Sequence, residues 1–170
     1  FLYFFYNNLQ NEKYMIYSFS VNVMKIKLKK VKNNAIIPTR GTTQAAGYDL
    51  YSCMDENEEI IIKPKTNQMI HTGIALEIPE GYYSAIFARS GAASKQGLRP
   101  ANCTGVIDSD YRGEYMVPLY NDSNEDRIIK HGERIAQVVV MPYLEVEFEE
   151  VENLNETQRG ANGFGSTGKN

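Results

Sequence analysis

Hydrophobic and polar residues alternate strictly where the chain passes Met24: Met24, Ile26 and Leu28 fall on one side, Lys25, Lys27 and Lys29 on the other. A period of two marks a strand with one buried face, because successive side chains leave a pleated backbone in opposite directions. Further short strand-like runs follow at 59–63, 67–71, 74–78, 82–88, 115–120, 134–141 and 144–151, separated by turn formers such as Lys63-Pro64, Pro79-Glu80-Gly81 and His131-Gly132. Several short strands at this spacing predict an all-β sandwich or barrel. Only 90–96, with its Ala, Ser, Lys and Gln, has a helical composition, and Gly97 limits it to a turn or two.

The two ends depart from this pattern. Residues 1–23 are dense in Phe and Tyr with Lys13 as their single basic residue. They have neither the basic start of a secretory signal nor the arginines of a transit peptide. The expectation is an extension with no functional role ahead of a natural start at Met24, the alternative being an aromatic partner-binding arm. The domain proper is expected at 24–156. From 157 to 170 a Gly-rich tail follows that cannot build a core.

Composition narrows the chemistry. A chain of 170 residues, 42% hydrophobic and 23% charged, is one domain with an ordinary core. Its net charge of -3 argues against nucleic acid as a partner. No apolar run nears the roughly 20 residues that span a bilayer, so no membrane partner is expected. Cys53 and Cys103 lie far apart without a CxxC or a nearby His, which excludes a thiolate zinc site and a disulfide scaffold. Reduced thiols suit an intracellular compartment, cytoplasmic or nuclear. His71 and His131 are the only histidines and neither adjoins an activated Ser or Cys. Carboxylates, arginines and backbone groups remain.

Four patches hold such groups. Arg89-Ser90-Gly91, between a strand and the short helical stretch, offers a guanidinium, a hydroxyl and an amide to an anion; the plainer reading is a Ser cap beside a solvated Arg. The segment Asn102 to Gly113 (NCTGVIDSDYRG) puts Asp108 and Asp110 in a turn beside an apolar strand, where a carboxylate can orient and deprotonate water. Tyr111 there could lie flat on a sugar or base, and the plainer reading is a hairpin turn. Asp49, in AAGYDL, could hold a hard cation through water or simply accept backbone N–H groups. The tail from Arg159 to Gly168 has glycines whose amides can converge on phosphate oxygens and Phe164 as a stacking lid; a frayed terminus is the alternative.

Taken in order, these patches resemble the five motifs of the trimeric deoxyuridine triphosphatase (dUTPase) family. The motifs read PTRGTTQAAGYDLYS from Pro38, ARSGAASKQGL from Ala88, NCTGVIDSDYRGEY from Asn102, GERIAQ from Gly132 and RGANGFGSTG from Arg159. Ala88 and Ala92 depart from the Pro and the bulky aliphatic that the family usually has there, which touches packing and not the donors.

The resemblance implies a jelly-roll-like β-barrel in a homotrimer with shared active sites, the tail of one chain closing over a pocket made by the others. It implies hydrolysis of dUTP to dUMP and pyrophosphate, which keeps uracil out of DNA and supplies dUMP for thymidylate synthesis. Asp108 would be the general base on the attacking water. Tyr111 would pack under the deoxyribose, and Asn102, Gly105, Val106, Ile107 and Met116 would read uracil. Arg89, Ser90 and Gly91 would grip the phosphates, with Gln137 near the α-phosphate; Arg134 could equally be structural. Asp49 would hold Mg²⁺ through water. Arg159, Ser166 and Thr167 would meet the γ-phosphate, with Gly165 beside them and Phe164 over the base. Two rival readings are a dCTP deaminase of the same fold, for which Glu114 is the sole glutamate beside the hairpin motif, and a trimeric binding module without activity.

Overall fold

The structure, a computed structural model, describes residues 23–163. Eleven strands form four small antiparallel sheets among them. β1 (Lys27–Lys30) pairs with β5 (Ile74–Glu77), and β3 (Glu59–Ile62) with β10 (Arg127–Lys130). β4 (Asn67–His71), β9 (Met116–Asn121) and β7 (Leu98–Pro100) form a third sheet with β9 central. The largest sheet runs β2 (Tyr48–Tyr51), β11 (Arg134–Pro142), β6 (Tyr82–Phe87), β8 (Gly105–Ile107). A single helical turn at Ala92–Gln96 ends at Gly97, whose φ of 67° is the left-handed cap expected of glycine.

The all-β expectation holds, and seven strands fall where alternation put them, within a few residues. β2, β7, β8 and β10 escape a periodicity reading. They are three or four residues long, β7 contains Pro100, and β10 has charged ends around two isoleucines. The run 144–151 departs the other way. Its alternation is a strand signal, yet it has no ladder partner among the described residues and its apolar members stand in solvent: Leu144 is 86% and Phe148 92% exposed. A strand is defined by what it pairs with, and that partner is not an element of the described chain.

The core gathers Leu50, Ile62, Ile70, Ile74, Val117 and Leu119 from five different strands, all nearly or fully buried. Polar groups inside it are satisfied. Ser52 donates to the Lys130 carbonyl at 2.5 Å, and Tyr115 and Ser84 share a hydroxyl–hydroxyl bond of 2.7 Å. Buried Asn121 spends its whole amide: Nδ2 donates to the Ile62 and Glu125 carbonyls at 2.8 and 2.7 Å, and Oδ1 accepts the Ser123 amide and hydroxyl. Removing that amide strands the Ile62 carbonyl of β3 and unties the loop at Ser123 and Glu125 that leads to β10. Asn121→Ala is therefore expected to cost about 2–4 kcal/mol, read as a lowered midpoint in urea with an unchanged slope; a midpoint equal to wild type would show that water replaces the amide.

Candidate active site

The largest sheet collects four of the five motifs: Asp49 on β2, Gln137 on β11, Arg89 just past β6 and Gly105 to Ile107 on β8. They form two groups: Asp49, Gln137 and Arg89 at the C-terminal end of β6, and β8, which starts opposite Ile86 and runs back along β6 so that Asp108 follows Ile107 past Ser84.

At one end Asp49 accepts a hydrogen bond from Arg89 Nε at 2.7 Å and another from Arg134 Nη1 at 3.3 Å, with only 13% of its side chain exposed. A bulge at Ile135 inserts an extra residue into β11, and Arg134 reaches Asp49 from beside it. Gln137 lies opposite Asp49 in the ladder and donates to the Ala88 carbonyl at 2.9 Å. Its Oε1 covers Gly47, where a Cβ would approach to 2.3 Å. In this chain Gln137 and Asp49 thus brace the segment leaving β6. The Arg89 bond runs through Nε, which orients the guanidinium without consuming its Nη groups. Ser90 is exposed and its side chain is not a helix cap: the cap position is Gly91, with no side-chain bond. The plainer reading of this patch, a Ser cap beside a solvated Arg, does not hold.

At the other end the segment 105–116 walls two clefts. One, of about 240 Å³, is lined by Met69, Val106, Ile107, Asp108, Tyr111, Glu114, Tyr115 and Met116. The other, of about 570 Å³, is lined by Tyr83, Val106, Asp108, Ser109, Asp110 and Tyr143. Asp108 and Val106 border both. The Asp108 carbonyl accepts the Tyr111 amide at 3.2 Å, and Arg112 Nη1 donates to the Ser109 and Tyr111 carbonyls, so the turn is closed by backbone acceptors while the Asp108 side chain stays exposed. Asn102 borders neither cleft; its amide lies over Gly105, 3.4 Å from where a Cβ would stand.

The Tyr111 ring rests on Gly113 and its hydroxyl donates to the Glu114 carbonyl at 3.1 Å. Tyr115 stands behind it, ring centroids 6.4 Å apart, and burial pushes its phenol above the usual range, which keeps it neutral. The Glu114 carboxylate accepts the Gly73 amide at 2.7 Å through Oε1 and faces His71 Nδ1 at 2.9 Å through Oε2. Arg159 bonds within the tail, Nε to the Asn162 carbonyl at 2.9 Å; Phe164, Gly165, Ser166 and Thr167 lie outside the described residues.

Sequence reasoning did not find Met69, Tyr83, Tyr115 or Tyr143 as lining residues, and it met Glu114 only as a rival's requirement. Met69 and Tyr83 reach the clefts from β4 and β6, far off in sequence, and no local pattern marks them. The arrangement places an exposed carboxylate between an apolar cleft and an open groove, with a free sheet edge beside it. That geometry suits orienting a water next to a bound ring system. A Cβ at Gly113 would come within 2.3 Å of the Tyr111 hydroxyl. Gly113→Ala is expected to drive the Tyr111 ring from its seat, seen as loss of its ring-current shift against Tyr115 in a spectrum of ring-labelled tyrosine. An unmoved Tyr111 signal would mean that the turn yields instead.

Comparison with known proteins agrees with this geometry. The sequence model of the dUTPase family matches residues 33–168. A deoxyuridine 5'-triphosphate nucleotidohydrolase of Nautilia profundicola is 52% identical over 146 residues, covering 86% of this chain and all of the relative. One of Hydrogenobaculum sp. is 47% identical over 145 residues, covering 85% and 99%. Among solved structures, the Staphylococcus bacteriophage 80alpha dUTPase with dUPNHPP superposes with a TM-score of 0.73 at 31% identity, covering 86% of this chain and 99% of the phage protein. Matched over most of its length by both sequence and structure, the chain belongs to the dUTPase family, hydrolases that act on dUTP.

Proposed function

We propose that this dUTPase releases dUMP and pyrophosphate by attack of an Asp108-activated water on the α-phosphorus. The water's oxygen bonds to phosphorus as the bond to the bridging oxygen breaks; the proton goes to Asp108 and the electron pair leaves with pyrophosphate. The observation that carries this reading is the Asp108 carboxylate, exposed at the shared border of two clefts while its own backbone closes the turn.

The rest of the substrate is assigned around that carboxylate. Tyr111, seated on Gly113, meets the face of the deoxyribose. Among the described residues β8 is an edge strand, paired with β6 alone, so its outer edge offers N–H and C=O groups to the uracil. Asn102 steadies that edge over Gly105, and Met116 closes the cleft beside Val106 and Ile107. Cytosine would leave those buried groups mismatched, which is how backbone pairing discriminates. Arg89, Ser90 and Gly91 grip the phosphates, Gln137 holds the strand exit that aims them, and Arg159, Phe164, Gly165, Ser166 and Thr167 act from the tail. The product dUMP supplies thymidylate synthesis, and removal of dUTP keeps uracil out of DNA.

The donor set fits Mg²⁺ only at second hand. Asp49 already holds two guanidiniums, and no group of three or more His, Cys, Asp or Glu is clustered among the described residues. The substrate phosphates would therefore be its main ligands, with Asp49 behind a water. When bound, the ion supplies charge neutralisation to the departing pyrophosphate.

Two observations support a homotrimer with shared sites. Asp108 and Arg89 lie toward opposite ends of β6, separated by up to about 20 Å of extended chain. One triphosphate is then served more readily by groups from different copies. The run 144–151 also leaves apolar Leu144, Val146 and Phe148 in solvent, alternating with Glu145, Glu147 and Glu149, opposite in charge to the lysines of β1. Seating that arm on another copy buries its apolar face.

Asp108→Asn is expected to lower pyrophosphate release from dUTP by about 10³-fold with KM nearly unchanged; near wild-type turnover would remove Asp108 from the base role. Light scattering on the full chain is expected to give three times the chain mass, and a chain ending at Pro142 a single copy. A trimer that survives this truncation would place the contact elsewhere.

A further inference from the structure

We infer that Glu114 is a positioning residue: its clamp on the Gly73 amide and His71 fixes Tyr111 and so sets discrimination between deoxyribose and ribose. The inference rests on the reading that Tyr111 meets the sugar.

The Tyr111 backbone is held within its own turn, while its side chain has one hydrogen bond among the described residues, from the hydroxyl to the Glu114 backbone carbonyl. The place of the ring is therefore only as definite as the place of residue 114. That residue is held by its side chain, which bridges from the hairpin to the turn between β4 and β5, about forty residues earlier. One carboxylate oxygen takes the Gly73 N–H at 2.7 Å; the other takes the His71 ring N–H at 2.9 Å. Both partners belong to a rigid region. Gly73 sits at φ 69° with no room for a Cβ, which would lie 2.6 Å from Cys53 Sγ and 2.8 Å from Ala35 Cβ. His71 is the last residue of β4, paired with Met116 of β9.

The carboxylate is 18% exposed, half-shielded beside the cleft it lines. Charge-assisted bonds to an amide and an imidazole are short and directional in such a place. Without them the Gly113-Glu114 segment would be restrained mainly by Tyr115, whose amide and carbonyl bond to Ile74 and Thr72 one residue further on. The fold would persist while the ring wandered. A ring that wanders by an ångström no longer distinguishes a sugar with a 2'-hydroxyl from one without it.

The test is the ratio of kcat/KM for dUTP to that for UTP, from pyrophosphate release, in Glu114→Ala, Glu114→Gln and Tyr111→Leu, with thermal melts alongside. Glu114→Ala is expected to cut the ratio about tenfold, chiefly through a raised KM for dUTP. Glu114→Gln should recover most of it, because an amide oxygen still accepts the Gly73 N–H. An unchanged ratio in Glu114→Ala, an equal loss on both nucleotides, or no recovery in Glu114→Gln overturns the inference while the Tyr111 reading stands on Tyr111→Leu. An unchanged ratio in Tyr111→Leu overturns the sugar reading itself. Should Glu114→Ala fail to fold, Glu114→Asp, one methylene short of Gly73, is expected to show the same loss.

Discussion

The turn at Thr72-Gly73-Ile74 is the constraint on which the site depends. Gly73 has φ 69°, and Cys53 and Ala35 fill the space where a side chain would begin. No other residue type fits both the conformation and the gap. The polar groups of this turn bind several elements together. Val31 and Lys32 donate to the Gly73 carbonyl, Tyr115 donates to the Ile74 carbonyl, the Thr72 hydroxyl donates to the Tyr115 carbonyl, and the Gly73 amide goes to Glu114. One three-residue turn thus ties the end of β1 to the far limb of the segment 105–116 that walls the clefts. Tyr115 completes the tie from inside, its buried phenol on Ser84 of β6.

With that limb fixed, β8 can remain minimal. It is three residues long and sits at the edge of its sheet, an arrangement that usually invites pairing with another chain. Here the open edge adjoins the cleft, and Val106, 63% exposed at its centre, separates the two hollows that Asp108 borders. The opposite end of the sheet is built on charge. Asp49, mostly buried, pairs with two arginines and leaves a net positive charge, and Arg89 is oriented in advance by that pairing. A guanidinium held in advance loses less freedom on binding an anion than a free one.

The sequence made the fold class legible through alternation, and the strands it missed are those too short for a period to register: β2, β7, β8 and β10. Candidate site residues within contiguous motifs could be named from the sequence because the motifs keep their order along the chain. Asp108, Tyr111 and Arg89 are of this kind. Their supports were not. Gly73 looks like any turn glycine until Ala35 and Cys53 are seen against it, and Met69 enters the cleft from a strand nearly forty residues before Ile107. Asp49 was read as a cation ligand or an acceptor of amides. Its pairing with Arg89 and Arg134 depends on a bulge in β11 that no periodicity reveals.

The stretch after Pro142 follows the same logic at a larger scale. Its alternation is as regular as that of the run from Met24 into β1, a pattern suited to a sheet, yet nothing among the described residues accepts it. Burying side chains such as Leu144, Val146 and Phe148 is worth about 1.5–3 kcal/mol each. That gain is forgone by a lone chain and collected three times over in a ring of three. In the roles proposed above, the arginine for phosphate and the carboxylate for water stand toward opposite ends of one strand, so such a ring would serve them doubly. The proposed shared site requires that the contact covering the arm also bring one chain's Arg89 within reach of another chain's Asp108. On that proposal assembly and catalysis are not separate properties of the molecule, because the same unpartnered arm would drive the first and make the second possible.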